Sequence, residues 1–221
     1  PEQRKNVRRA AVSALRAWAK GHDYAETLVE RHANRNNLSS SDRALLNSIL
    51  LAVLRHRRLL DHWIGLLRKG KLDHETRDIL RVGICQLLIL GIADHAAVNE
   101  TVECARAPVR GLINAVLRRS IAARKRFAKD LEELSPALRH SHPDWLYKRW
   151  RKEFGVDAAD TLMAWDNQPA PTFLRVNPLK PTDLEIPGTP VGNYPGFHEI
   201  EGGIPQALLA GGHVYIQDPS T

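Results

Sequence analysis

The residues of this chain whose types and spacing could do chemistry are clustered arginines and lysines. Arg4, Arg8 and Arg9 open the sequence, and Val7, Ala11, Leu15 and Trp18 recur beside them at helical spacing. Arg55, Arg57 and Arg58 form a second cluster, and Arg118, Arg119, Arg124, Lys125 and Arg126 a third. Each cation can neutralise a phosphate, so clusters of this kind predict a polyanionic partner. The competing reading is a solvated basic face. Cations at a helix C-terminus also complement the helix dipole, which accounts for part of the third cluster. It does not account for the first, which lies at a helix N-terminus.

Other chemistry is thinly provided. No glycine-rich loop follows a strand, and Gly202-Gly203 and Gly211-Gly212 read as turns. There is no His-Glu-x-x-His, no Cys-x-x-Cys and no Gly-x-Ser-x-Gly. Ten histidines are present, but the pairs His56 with His62 and His140 with His142 lack a convergent third ligand, so no metal site is expected. The two cysteines, Cys85 and Cys104, sit in apolar helical patterns and read as buried thiols of a reducing cytoplasm. No apolar run reaches the ~18 residues of a membrane span. The first residues, Pro-Glu-Gln-Arg-Lys, carry no apolar leader.

The net charge of +7 hides an asymmetry. Residues 1–129 hold 25 Lys and Arg against 12 Asp and Glu, whereas residues 130–221 hold 7 against 13. The basic half therefore favours nucleic acid as the polyanion. Its elements are helices throughout. Gly21 stops the first helix, Ser39 to Ser41 offer N-caps, and Leu45 to Leu54 form a wide apolar stripe that Arg55-His-Arg-Arg58 interrupts. Asp73 caps a stretch from Ile79 to Leu90 that is apolar nearly all round, which predicts a central buried helix. Pro108 suits the first turn of a helix carrying Leu112, Ile113, Val116 and Leu117. About seven helices are expected by residue 128.

The texture then changes. Trp145, Leu146, Trp150 and Phe154 predict an amphipathic helix ending at Gly155, with a shorter one over 158–165. Prolines then crowd the sequence. Thr172 to Asn177 reads as a strand, 181–205 as loop, and Val214 to Ile216 as a strand with no later partner. Asp218-Pro-Ser-Thr221 resembles a helix entrance, so the sequence reads as the front part of a larger protein.

Several ordered motifs carry a resemblance. Arg8-Arg-Ala-Ala, Asp42-Arg43, Arg77-x-Ile-Leu-Arg-Val-Gly-x-x-Gln86, His95-Ala-Ala-Val-Asn-Glu100 and Ile113-Asn-Ala-Val-Leu-Arg118 resemble a NusB-type helical RNA-binding domain. Together with His142-Pro-x-Trp145, Phe154-Gly155, Leu174-Arg-Val-Asn177 and Val214-x-x-Gln-Asp218, they are similar to the Sun/Fmu-type 16S ribosomal RNA cytosine-C5 methyltransferases. The resemblance implies a mainly α fold. A NusB-like helical bundle over 1–128 would be followed by a linker and small α+β pre-catalytic module over 129–212. The first strand of a Rossmann-type methyltransferase domain would occupy 213–221. It implies S-adenosylmethionine and two catalytic cysteines in a catalytic domain beyond Thr221, and neither Cys85 nor Cys104 matches that role. No catalytic, cofactor or metal residue is expected within the chain, which by itself would be inactive. The expected partners are 16S rRNA and that catalytic domain, with no membrane contact and a monomeric, cytoplasmic protein. The expected RNA-binding residues are Arg4, Arg8, Arg9, Arg118, Arg119, Lys125, Arg175 and Asn177. For Arg175 and Asn177 a structural network stands beside the RNA reading. The rival functions are a NusB-like antitermination factor without enzyme activity and a scaffold binding an acidic protein.

Overall fold

The computed structural model describes residues 6–201 and 204–220. Arg4 lies outside the described residues. The chain divides into two compact units, 1–167 and 168–221.

In the first unit local signals set the helix ends. The Asn6 side chain accepts from the Arg8 and Arg9 amides to start α1 (Val7–Trp18). Its own amide donates to the Glu100 carbonyl at 3.0 Å, which ties that cap to the core. After α2 (Ala25–Arg35), Ser39 caps α3 (Ser40–Arg55). The basic run at His56 marks a real break, because α4 (Arg57–Leu67) restarts after it. Asp73 caps α5 (His74–Leu88), where every residue from Ile79 to Leu87 is buried. Then follow α6 (Asp94–Val102) and α7 (Ala107–Ala122), the latter entered through Pro108. The expected central helix is therefore α5, which packs against α1, α3, α4, α6 and α7.

Gly83 permits the closest of these approaches. A Cβ there would stand 2.6 Å from Cδ2 of Leu117 and 3.0 Å from Cγ2 of Thr101. Two polar networks are anchored on α5. The fully buried Gln86 donates to the Val82 carbonyl and to Thr101 Oγ1, and accepts from Arg8 Nε at 2.8 Å. Arg81 is gripped by both oxygens of Asp61 and by Asp78 Oδ1.

The helical unit continues past residue 128. Helix α8 (Arg124–Glu133) crosses that point and stacks Phe127 on Trp63 at 5.4 Å. The helices α9 (Pro136–Arg139), α10 (Asp144–Phe154) and α11 (Val156–Asp166) follow, with Gly155 at φ +85° forming the turn between the last two. They attach through α4. The Arg58 amide donates to Ser141 Oγ, and its guanidinium donates to the His142 carbonyl and both oxygens of Asp144. His140 and His142 in turn hold Asp160 and Asp166 at 3.0 and 2.8 Å. This clasp explains why the compact unit ends at Asn167 and not at the composition change near 128.

The second unit is a four-stranded antiparallel sheet of order β2-β3-β1-β4. Its elements are β1 (Thr172–Val176), β2 (Thr189–Pro190), β3 (Phe197–Ile200), α12 (Gln206–Ala210) and β4 (Val214–Ile216). Leu174, Ile200, Leu208 and Val214 make its core. Two of these strands and α12 lie where loop or no element was expected. A two-residue strand containing Pro190 has no alternation to read, and β3 is hidden among turns. The partner of Val214–Ile216 precedes it in sequence: β4 pairs antiparallel with β1, Arg175 facing Tyr215. No described helix is long and apolar enough to cross a membrane.

Candidate nucleic-acid interface

Helical spacing gathers the cations of α1 on one face. Arg9 and Arg16 are exposed there, with Lys20 just past the end of the helix, while Ala10, Ala11, Ala14 and Leu15 turn inward. Arg31 and Arg35, four residues apart on α2, continue the face. Arg106 adds to it at the entrance to α7. Two surface cavities open on it. One, of about 440 Å³, is lined by Arg9, Ser13, Arg16 and Arg106. The other, of about 360 Å³, is lined by Arg16, Lys20, Arg31 and Arg35. Arg16 belongs to both.

Few carboxylates offset this charge. Glu75, in the first turn of α5, is shared: Arg16 stands 3.5 Å from one oxygen and Arg106 3.3 Å from the other. Asp23 takes both terminal nitrogens of Arg31 and is held below the ordinary carboxylate value by that hydrogen bond. The Arg9 guanidinium donates to the Glu103 carbonyl at 3.0 Å, a neutral partner. His32 lines the same cavity from the buried side. Burial first, then Arg35 and Arg31, push its pKa down, so it adds no charge at neutral pH. Six cations thus face two carboxylates, all on or beside rigid helices.

The structure sorts the residues expected from the sequence. Arg8 and Arg9 are neighbours in sequence but point apart. Arg8 is half-buried on Gln86, whereas Arg9 belongs to the open face. Arg118 is exposed, its Nε donating to Asn114 at 3.1 Å, and Arg119 reaches the Leu67 carbonyl at 3.4 Å. Neighbouring Arg124 pairs with Asp94 at 2.7 Å, and Arg126 lies over the Phe127 ring. Lys125 is exposed beside them. Of this cluster, Arg119 and Arg124 therefore join helices to one another, whereas Arg118 and Arg126 contact their own helices.

In the second unit, Arg175 and Asn177 part company. Arg175 is exposed, donates to Gln217 Oε1 at 3.3 Å and lies 5.8 Å over the Phe197 ring. Asn177 lies past the end of β1 and is only 6% exposed. Its amide donates to the Gly212 carbonyl and the Tyr215 hydroxyl, and its oxygen accepts from the Leu179 amide. Every hydrogen-bonding group of that side chain is engaged by the chain itself. Leu174 is buried as expected and Val176 half-buried. The expected RNA-binding set did not include Arg16, Lys20, Arg31, Arg35 or Arg106. The spacing of 9 and 16 on α1, with 20 just past its end, carried the signal for the first two. The joining of α1, α2 and α7 into one face did not show in any local pattern.

Burial pushes the Cys85 thiol up to about 12, and Cys104 is likewise held at about 12, by burial outweighing Arg9 and Arg8.

Known proteins share this organisation. The model of the NusB family matches residues 5–122, and that of the ferredoxin-like domain of RsmF/B-like methyltransferases matches 142–185. The Synechocystis protein named "Probable ribosomal RNA small subunit methyltransferase B" is 30% identical over 217 residues, covering 94% of this chain and 48% of that protein. The Escherichia fergusonii "Ribosomal RNA small subunit methyltransferase B" is 30% identical over 251 residues, covering 99% of this chain and 54% of its own length. The chain thus spans about half the length of these curated relatives. Among solved structures, PH0851 shares the fold, with a TM-score of 0.58 at 16% identity over 98% of this chain and 54% of that one. With more than half its length matched by the family's model and the helical core that motif set implies, the chain belongs to the NusB family.

Proposed function

We propose that this chain is the RNA-recognition portion of a small-subunit ribosomal RNA methyltransferase, one that transfers a methyl group from S-adenosylmethionine to cytosine C5. The observation that carries the reading is the basic face of α1, α2 and the α7 entrance, where six cations meet two carboxylates. Phosphate contacts of this kind position a protein on RNA without reading sequence. The names of the curated relatives point to the same substrate class. Cytosine-C5 transfer needs a thiolate nucleophile, and neither cysteine here fits that role. Both are held protonated by burial, so no step of the transfer is assigned to a residue of this chain.

The test is a binding titration of the purified chain with fragments of 16S rRNA at several salt concentrations. Salt-dependent binding that falls when Arg16 and Arg35 are reversed to Glu supports the reading. Equal binding by wild type and the reversed variant would discard this face. A parallel incubation with labelled S-adenosylmethionine and unmodified small-subunit rRNA should give background incorporation.

A further inference from the structure

Arg16 borders a third cavity, the most enclosed of the three, on its other side. This one, of about 200 Å³, lies within the helical unit among α1, α3, α4 and α5. Half of its lining is apolar, with Leu54 and the half-buried indole of Trp18 among them, and His74 stands with the charged residues on the rest. One end is polar. Asp78, 7% exposed, and Arg81, 6% exposed, both line it. Arg81 binds Asp78 through Oδ1 alone, at 2.7 Å. Asp78 Oδ2 accepts no hydrogen bond from a described residue and is open to the cavity, although the residue as a whole is only 7% exposed. An acceptor of that kind, left unpaired in a small cavity, favours a donor from outside the protein. At the mouth stand Arg16 and Arg57. The Arg57 guanidinium lies 5.5 Å from the centre of the Trp18 ring, and no carboxylate lies within ion-pair distance of it among the described residues.

We propose that this cavity receives one guanine base extruded from single-stranded RNA. The volume is smaller than the roughly 300–1,000 Å³ of a small-molecule site and suits one planar ring system. Trp18, with the Arg57 guanidinium lying over its ring, supplies the flat surface that an unstacked base requires. Arg16 and Arg57 meet the phosphates on either side of the inserted nucleotide. The carboxylate selects the base. Guanine alone offers adjacent N–H donors, from N1 and the N2 amino group, to a carboxylate acceptor, whereas an adenine or cytosine offers one amino group and uracil one imino group. Arg81 adjoins Asp78 and is itself held by both oxygens of Asp61. The proposal rests on the RNA-binding reading above and adds a base preference to it.

The experiment compares single-stranded decamers of uridine carrying one central guanosine, inosine or adenosine. Inosine lacks only the N2 amino group, so the comparison alters no protein residue. Guanosine should bind about tenfold tighter than inosine, the loss expected for one hydrogen bond to a charged acceptor. It should also quench tryptophan emission, and Trp18→Leu should remove the quench. Asp78→Asn should erase the guanosine preference while keeping the salt-dependent affinity, with thermal melting confirming the fold. Equal binding of all three decamers would overturn the pocket and leave the basic face standing. A preference that persists in both variants would also overturn it, by placing the reader elsewhere. Absence of binding to any decamer and to 16S rRNA fragments would overturn both readings.

Discussion

Neutralising one carboxylate should make this protein bind RNA more tightly while melting slightly earlier. The residue is Glu75. Its two oxygens hold Arg16 and Arg106, at 3.5 and 3.3 Å, and all three side chains are substantially exposed. Exposed pairs of this kind contribute little to stability. Glu75 also sits in the first turn of α5, where a negative charge complements the helix dipole by roughly 0.3–1 kcal/mol. Glu75→Gln should therefore lower stability by up to about 1 kcal/mol. Its effect on RNA runs the other way. Arg31 is matched by Asp23, and Arg16 and Arg106 share one carboxylate, so about four cations of the face are uncompensated. Four phosphate contacts on single-stranded RNA give a log–log salt slope of about −3, or an affinity loss of about 50-fold between 50 and 200 mM salt. Freeing a fifth cation steepens the slope to about −3.5 and tightens binding about fivefold at 0.1 M salt. Fluorescence anisotropy with a labelled single-stranded oligonucleotide across a salt series reads both numbers. An unchanged slope and affinity, with the fold intact, would refute the assignment of this face as the phosphate contact.

Packing sets three further outcomes. Asn177→Ala leaves the Gly212 carbonyl and the Leu179 amide without their side-chain partner and should destabilise the second unit by about 1–3 kcal/mol in urea titration, whereas Arg175→Ala, being exposed, should shift stability little. Gly83→Ala should cost about 1–3 kcal/mol through overpacking on Leu117 although alanine is the better helix former by about 1 kcal/mol; a stabilised variant would show that α5 and α7 can move apart. His56 has its pKa pushed below the ordinary 6.5, by burial first and then by Arg55, His140 and His142. The unfolded chain then binds the extra proton, so His56 contributes a stability loss that begins as pH falls through about 6.5 and levels off below the folded value. His56→Leu should flatten thermal stability across that window, and an unaltered profile would count against it.

The helical half was legible because its signals are local. Ser39 and Asp73 cap helices through side chains that reach three residues ahead, and the apolar run after Asp73 marks α5 as central. Gly155 ended α10 where the pattern stopped. Motif order carried the family. The small sheet was only half visible. Leu174 announced β1, but β2 and β3 are defined by their pairing with a neighbour and not by any period of their own.

Composition by itself determined that the first half is basic and that α1 carries arginines. Only the tertiary structure decided which of them are available. Arg8 and Arg9 are adjacent in sequence, yet about 100° of helical turn separates them, so one is anchored on buried Gln86 and the other faces solvent. Arg31 and Arg35 join Arg16 only because α2 packs on α1, and Arg106 joins because Glu75 of α5 bridges the two helices. Asn177 looked like a strand-face residue and is a buried clasp, since the partners of its amide lie 35 and 38 residues away. Charge belongs to the residue and can be counted along a chain. Whether that charge is free, paired or buried depends on groups distant in sequence, and only folding brings them within reach.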